Sequence, residues 1–114
     1  MSVQIYHNPR CSKSRQTLAL LQEQGVEPEI IEYLKTPPSK AELDRVLKLL
    51  NKEPAELMRK GEEEFKTHIK DKSLTRDESI ALMVAYPKMI ERPVVINGEK
   101  AAVGRPPESV LNIL

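Results

Sequence analysis

The chain lacks a second cysteine: Cys11 is the only one in 114 residues. A lone cysteine cannot close an internal disulfide, which excludes a stapled secreted scaffold and makes the reducing cytoplasm the expected location. With only two histidines, His7 and His68, far apart in the sequence, no recognised zinc ligand set can be assembled and no metal is expected. Long apolar runs are also missing, none approaching the roughly 20 residues of a membrane-spanning helix. The short apolar segment 3–6 runs straight into Pro9 and Arg10, without the charged and apolar regions of a signal peptide. Nor is there a basic tract. Lys and Arg number 18 against 17 Asp and Glu, a net charge of +1, so the electrostatic pull of nonspecific nucleic-acid binding is absent. Neither nucleic acid nor a membrane is expected as a partner.

What is present reads as one ordinary globular domain, residues 1–114. The chain is 31% charged and 39% hydrophobic, and its length suits a single modest core. Segment 2–6 is rich in β-formers and stopped by Asn8-Pro9, predicting a first strand. Ser12 to Gln24 predicts a helix with Leu18 and Leu21 on one face and Gly25 at the left-handed position after its end. Glu29 to Leu34 predicts a second strand, closed by Thr36-Pro37-Pro38. Strand, helix and strand in so few residues imply a right-handed crossover and a parallel pair.

Ser39-Lys40-Ala41-Glu42 has the spacing of a capping box, and Leu43, Val46, Leu47 and Leu50 follow with helical period. A shorter helix is expected over Pro54 to Lys60, and a loosely helical charged stretch over Gly61 to Lys72. Thr75 to Glu78 is a second capping box, opening a helix with Ile80, Met83 and Val84 inward that Pro87 ends. Pro93 to Ile96, Asn97-Gly98 and Lys100 to Val103 read as strand, tight turn and strand. Pro106-Pro107 then opens a last short helix over Glu108 to Leu114. The order is βαβ, a helical region, then ββα, an α/β class.

Cys11 falls in the loop between the first strand and first helix, at the carboxyl end of a strand, where α/β sheets place their ligand sites. Arg10, Lys13 and Arg15 bring positive charge, Ser12 and Ser14 offer hydroxyls, and the helix start adds unpaired N–H groups and the positive dipole end. All favour the thiolate, and the same features suit a tetrahedral oxyanion. The bland alternative is a small buried hydrophobe, which gains nothing from three flanking cations. His7 either tunes the thiolate or ends the strand. Arg59, Arg92 and Arg105 each sit where a loop meets an element. Alone, each reads as a surface charge, but Arg92 and Arg105 flank the final hairpin and reach the Cys11 loop if that hairpin lies beside the first strand. Pro93 opens a strand next to the same loop, where a cis bond would expose backbone groups, although prolyl bonds are mostly trans.

The strand-loop-helix order with Cys11 at the turn, the final ββα unit and Arg92-Pro93 resemble the thioredoxin superfamily. His7-Asn8-Pro9, Cys11 with Ser14-Arg15, Tyr33-Leu34 before Thr36-Pro37-Pro38, Leu57-Met58-Arg59-Lys60, Arg92-Pro93 and Arg105-Pro106 resemble the glutaredoxin-coupled arsenate reductase (ArsC) family. Within it the chain is most similar to an ArsC-like branch described as glutathione-dependent oxidoreductases. The resemblance implies a thioredoxin-like mixed sheet with an inserted helical region and a cis Pro93. It implies that Cys11 is the nucleophile toward arsenate, that Arg59, Arg92 and Arg105 hold the oxyanion, and that His7, Ser14 and Arg15 support the thiolate. Guanidinium binds such oxygens bidentately, and a thiolate cannot approach a charged oxyanion until cations neutralise it.

Glutathione would act as co-substrate and glutaredoxin as protein partner, with no bound cofactor. Two other functions compete. Spx-type relatives bind RNA polymerase and use a Cys-x-x-Cys switch, which Ser14 at the second position rules out here as an intramolecular device. A general glutathione-dependent thiol oxidoreductase would keep Cys11 but not the arginine clamp.

Overall fold

The computed structural model describes residues 2–114. The chain forms two compact units: one runs to Thr36 and resumes from Arg92 to Leu114, and the other spans Pro37–Glu91. Both junctions sit beside prolines, Pro37-Pro38 and Pro93, which cannot continue a regular element across them.

The first unit is built on a four-stranded sheet in the order β2-β1-β3-β4. β1 (Val3–Tyr6) pairs in parallel with β2 (Glu29–Ile31) and antiparallel with β3 (Val94–Asn97), which pairs antiparallel with β4 (Lys100–Val103). α1 (Ser12–Glu23) makes the crossover between the parallel strands. Gly25, at φ +77°, supplies the left-handed residue just beyond its end, and Gly98 at φ +63° turns the hairpin. The register puts Ile5 opposite Val95 and Val95 opposite Ala102, so these three share one sheet face. That face is covered by Leu21 of α1 and by Val110 and Ile113 of a C-terminal 3₁₀ segment, Pro107–Ile113. Ile5, Leu21, Val95 and Val110 are completely buried, each stabilising the unit by about 1.5–3 kcal/mol relative to exposure. On the opposite face Tyr6 meets Tyr33, ring centroids 6.5 Å apart and tilted by 39°.

The helical unit is the insertion between β2 and β3. α2 (Lys40–Leu50) packs on α4 (Arg76–Ala85), with Leu43, Val46, Leu47, Ile80 and Met83 buried. Both start as their capping residues predict: Ser39 Oγ accepts from the Glu42 N–H, and Thr75 and Glu78 satisfy one another reciprocally. Arg76 ties α4 to Asp44 at 3.0 Å and to Glu53 at 3.3 Å. α3 (Glu63–His68) accounts for the regular part of the charged stretch. The ends of this unit are stitched by the Arg59 N–H to the Met89 carbonyl, 2.6 Å, and the Glu91 N–H to the Leu57 carbonyl, 2.7 Å.

Together these elements make the thioredoxin-like mixed sheet with an inserted helical region. Several boundaries differ from expectation. β2 stops at Ile31 rather than Leu34, because its one partner, β1, ends at Tyr6 opposite Ile31 and the chain then turns through Glu32, whose carbonyl accepts from Lys35 and Thr36. The helix expected from Pro54 is a single 3₁₀ turn ending at Leu57, after which Met58 bridges Ile90 in extended conformation. The C-terminal helix is 3₁₀ and begins at Pro107. Val84 is half-buried rather than inward, unlike Ile80 and Met83. Among the described residues no helix is long and apolar enough to cross a membrane.

Candidate active site

The site grows from the end of β1. The His7 N–H makes the last cross-strand bond of that edge, to the Ile31 carbonyl at 2.9 Å, before Asn8-Pro9 breaks the ladder. Asn8 then organises a tight turn: its side-chain Oδ1 accepts from the Arg10 N–H and its carbonyl from the Cys11 N–H, both at 3.0 Å. Arg15 reaches back from α1 and donates through Nη1 to the Pro9 carbonyl, also at 3.0 Å.

This turn delivers Cys11 to the N-cap of α1. Its backbone is extended, φ −95° and ψ 123°, and its carbonyl accepts the first helical bond from the Arg15 N–H at 3.0 Å. The sulfur makes no capping bond, and the first turn holds no acidic residue. The positive end of the helix is therefore not neutralised from within, and it favours an anion bound beside Cys11.

Arg105 faces the same sulfur from the hairpin. Its Nη2 lies 3.7 Å from Cys11 Sγ, and its Nε donates to the Arg92 carbonyl at 2.8 Å, which fixes the guanidinium plane. Arg92 and Arg105 occupy equivalent places at the two ends of the β3-β4 hairpin, each before a cis proline, Pro93 and Pro106. The cis Pro93 agrees with the resemblance; the second cis bond had no signal in the sequence. Arg92 buries its Nε and Nη1 away from solvent, where a guanidinium favours an anionic neighbour.

Gly104 lets the hairpin close onto the site. Its N–H donates to the Pro93 carbonyl at 2.9 Å, and a Cβ there would lie 2.5 Å from Thr17 Oγ1 and 2.8 Å from Pro93 Cγ. Thr17 is fully buried and donates to the Lys13 carbonyl at 2.8 Å, so α1, Pro93 and the residue before Arg105 are locked together. Sequence reasoning passed over both residues; a glycine directly before an Arg-Pro pair was the available cue.

His7 and Ser14 form a buried pair, Nδ1 to Oγ 2.6 Å, and Ser14 Oγ also accepts from the Asn8 N–H at 3.0 Å. Burial holds the His7 pKa below its ordinary 6.5; the Glu32 carboxylate opposes this shift and Arg15 adds to it. The imidazole is consequently neutral at neutral pH. The influence of Glu32 was another feature without a sequence cue, since it depends on the turn that follows the short β2.

His7, Cys11, Ser14, Arg15, Arg92, Pro93 and Arg105 thus all belong to the first unit. Arg59 belongs to the helical one, where its guanidinium pairs with the Glu62 carboxylate.

Comparison with known proteins agrees with this construction. The sequence model of the ArsC family matches residues 6–113. The uncharacterized protein YfgD of Escherichia coli K12 is 53% identical, over 98% of this chain and 96% of its own. An arsenate reductase of Haemophilus influenzae is 46% identical over the full length of both chains. Among solved structures, an arsenate reductase from Vibrio cholerae superposes with a TM-score of 0.95 at 51% identity, covering 100% of this chain and 98% of that one. With its fold, its Cys11 turn and near full-length matches of this kind, the chain belongs to the ArsC family.

Proposed function

We propose that this protein reduces arsenate to arsenite in the cytoplasm through the Cys11 thiolate, with glutathione as reductant and glutaredoxin as the partner that regenerates the enzyme. The observation that carries the reading is the guanidinium of Arg105 at 3.7 Å from the Sγ of Cys11, which is the N-cap residue of α1. Relatives named arsenate reductases over the whole chain length support it.

Arg105 and Arg92 neutralise the oxyanion so that an anionic sulfur can approach it. Cys11 Sγ bonds to arsenic, and the departing arsenate hydroxyl takes a proton and leaves as water. The thiolate of glutathione then attacks Cys11 Sγ and forms a disulfide. The S–As bond breaks with its electron pair on arsenic, so As(V) becomes As(III) and leaves as arsenite while two thiols are oxidised. Glutaredoxin takes the glutathione from the mixed disulfide by thiol exchange and returns Cys11 to the thiolate. Neutral His7 holds the Ser14 hydroxyl in the first turn of α1, Arg15 braces the loop, and Pro93 shapes the wall beside Arg92. No bound cofactor is required, because the electrons come from thiols.

The test is a coupled assay: protein, glutathione, glutaredoxin and glutathione reductase, with arsenate-dependent oxidation of NADPH as readout. Turnover that disappears in Cys11→Ala is the expected result. Absence of turnover, or turnover that survives Cys11→Ala, overturns the proposal.

A further inference from the structure

The first unit carries a cleft of about 360 Å³ lined by His7, Asn8, Pro9, Arg10, Glu32, Leu34 and Lys35. It falls within the range of small-ligand pockets, about 300–1,000 Å³, and none of the chemistry above uses it. One wall is the turn that runs directly into Cys11, and the other is the turn after β2. We propose that this cleft binds the attacking thiol, a tripeptide of glutathione type, and presents its sulfur to Cys11; this rests on the proposed function of the same site.

Three observations support that occupant. First, the charges are complementary. Glutathione at neutral pH carries two carboxylates and one ammonium, and the cleft offers two cations, Arg10 and Lys35, and one carboxylate, Glu32. Lys35 and Glu32 sit 3.5 Å apart, an exposed pair that an incoming zwitterion can rearrange. Leu34, 39% exposed, gives the short aliphatic part an apolar contact. Arsenate itself, multiply negative, would meet Glu32 here.

Second, the topology separates the two reactants. β1 is central in the order β2-β1-β3-β4, with Cys11 just beyond its carboxyl end. Arg92 and Arg105 approach from the β3-β4 side, and the cleft opens on the β2 side. Displacement at sulfur proceeds in line, the attacking thiolate arriving opposite the bond that breaks. Arsenic held on the hairpin side and thiol delivered from the β2 side come to Cys11 from different sides of β1, as that requirement asks.

Third, the wall is rigid. Asn8 holds Arg10 and Cys11 through its side chain and carbonyl, and Arg15 braces the Pro9 carbonyl, so a ligand seated against this turn has a fixed relation to Cys11.

Two measurements decide the matter. S-methylglutathione, which cannot react, is titrated into ¹⁵N-labelled Cys11→Ser protein. Saturable amide shifts should concentrate at residues 7–10 and 32–35. Each exposed charge contact contributes about two- to fivefold in affinity, so the double variant Arg10→Glu/Lys35→Glu should bind about tenfold more weakly, with its own ¹⁵N spectrum reporting the fold. In turnover, the ratio of the glutathione rate to the rate with uncharged 2-mercaptoethanol should fall by a similar factor in that double variant. Shifts confined to residues 92–94 and 103–106, no saturable binding, or an unchanged rate ratio overturns the cleft. If arsenate turnover with glutathione is normal and only these outcomes fail, the function stands without the cleft. If glutathione drives no turnover at all, the function fails and the titration still decides what the cleft binds.

Discussion

Gly104→Ala would place a methyl carbon 2.5 Å from Thr17 Oγ1, 2.8 Å from Pro93 Cγ and 3.1 Å from Thr17 Cγ2. None of these neighbours can easily give way. Thr17 is fully buried with its hydroxyl committed to the Lys13 carbonyl, and Pro93 is a closed ring at the entrance of β3. Overpacking of this kind costs about 1–3 kcal/mol. At this chain length about 4 °C of melting temperature is lost per kcal/mol, so the variant should melt about 4–12 °C lower. The movement that relieves the clash must pass through Arg105, the next residue, so arsenate turnover should fall by more than the unfolded fraction explains. Thr17→Ala removes two of the three close contacts and leaves the one to Pro93. Combined with Gly104→Ala it should recover part of the loss, a coupling of about 1 kcal/mol in a double-mutant cycle. A melting temperature within about 1 °C of the parent, or a strictly additive double variant, would refute the reasoning.

Arg105→Gln removes the charge beside Cys11 Sγ. Hydrogen bonds to charged groups contribute about 1.5–3 kcal/mol, and the exposure of Arg105 screens the interaction toward the lower end. The expected loss in kcat/KM for arsenate is therefore about tenfold, and a loss below about twofold would contradict the assigned contact. Ser14→Ala leaves the buried His7 Nδ1 and Asn8 N–H without their common partner, which should destabilise the protein by about 1–3 kcal/mol in urea denaturation; a neutral result would mean that the pair contributes nothing. His7 binds its proton more weakly folded than unfolded, so as pH falls below 6.5 the unfolded chain gains protons first and stability declines. His7→Gln should flatten that part of the stability profile, above the range where the depressed carboxylates Asp44 and Glu78 lose their contribution on further acidification. An unchanged slope in His7→Gln would assign the decline elsewhere.

Local signals in the sequence were reliable where one residue type has one conformational use. Gly25 and Gly98 take the positive φ their positions call for, Ser39 and Thr75 cap the helices they precede, and the hairpin forms, with its turn at Gly98-Glu99 and Asn97 still in β3 opposite Lys100. Elements that depend on a partner were less legible. β2 has a strand-like sequence through Leu34, yet it runs only as far as β1 can pair with it, and Tyr33 leaves the sheet direction to meet Tyr6. In the site, His7, Ser14, Cys11 and Arg105 could each be picked from residue type, position or resemblance. Their mutual arrangement could not, since the 2.6 Å pair of His7 and Ser14 and the reach of Arg105 across 94 positions are products of tertiary closure. Gly104 was invisible for the same reason: its role lies in what Thr17 and Pro93 leave no room for.

Cys11 stands at a helix N-cap, where Ser, Thr, Asp or Asn would accept a first-turn N–H and its sulfur does not. An atom in the proposed role of nucleophile cannot also serve as cap. Cys11→Ser should accordingly gain about 0.5–2 kcal/mol of helix stability while losing all turnover, leaving a dead enzyme that is harder to melt than the living one. This chain therefore carries a standing weakness at the start of α1, and a search for thermostable variants made without an activity screen would discard the proposed nucleophile among its first improvements.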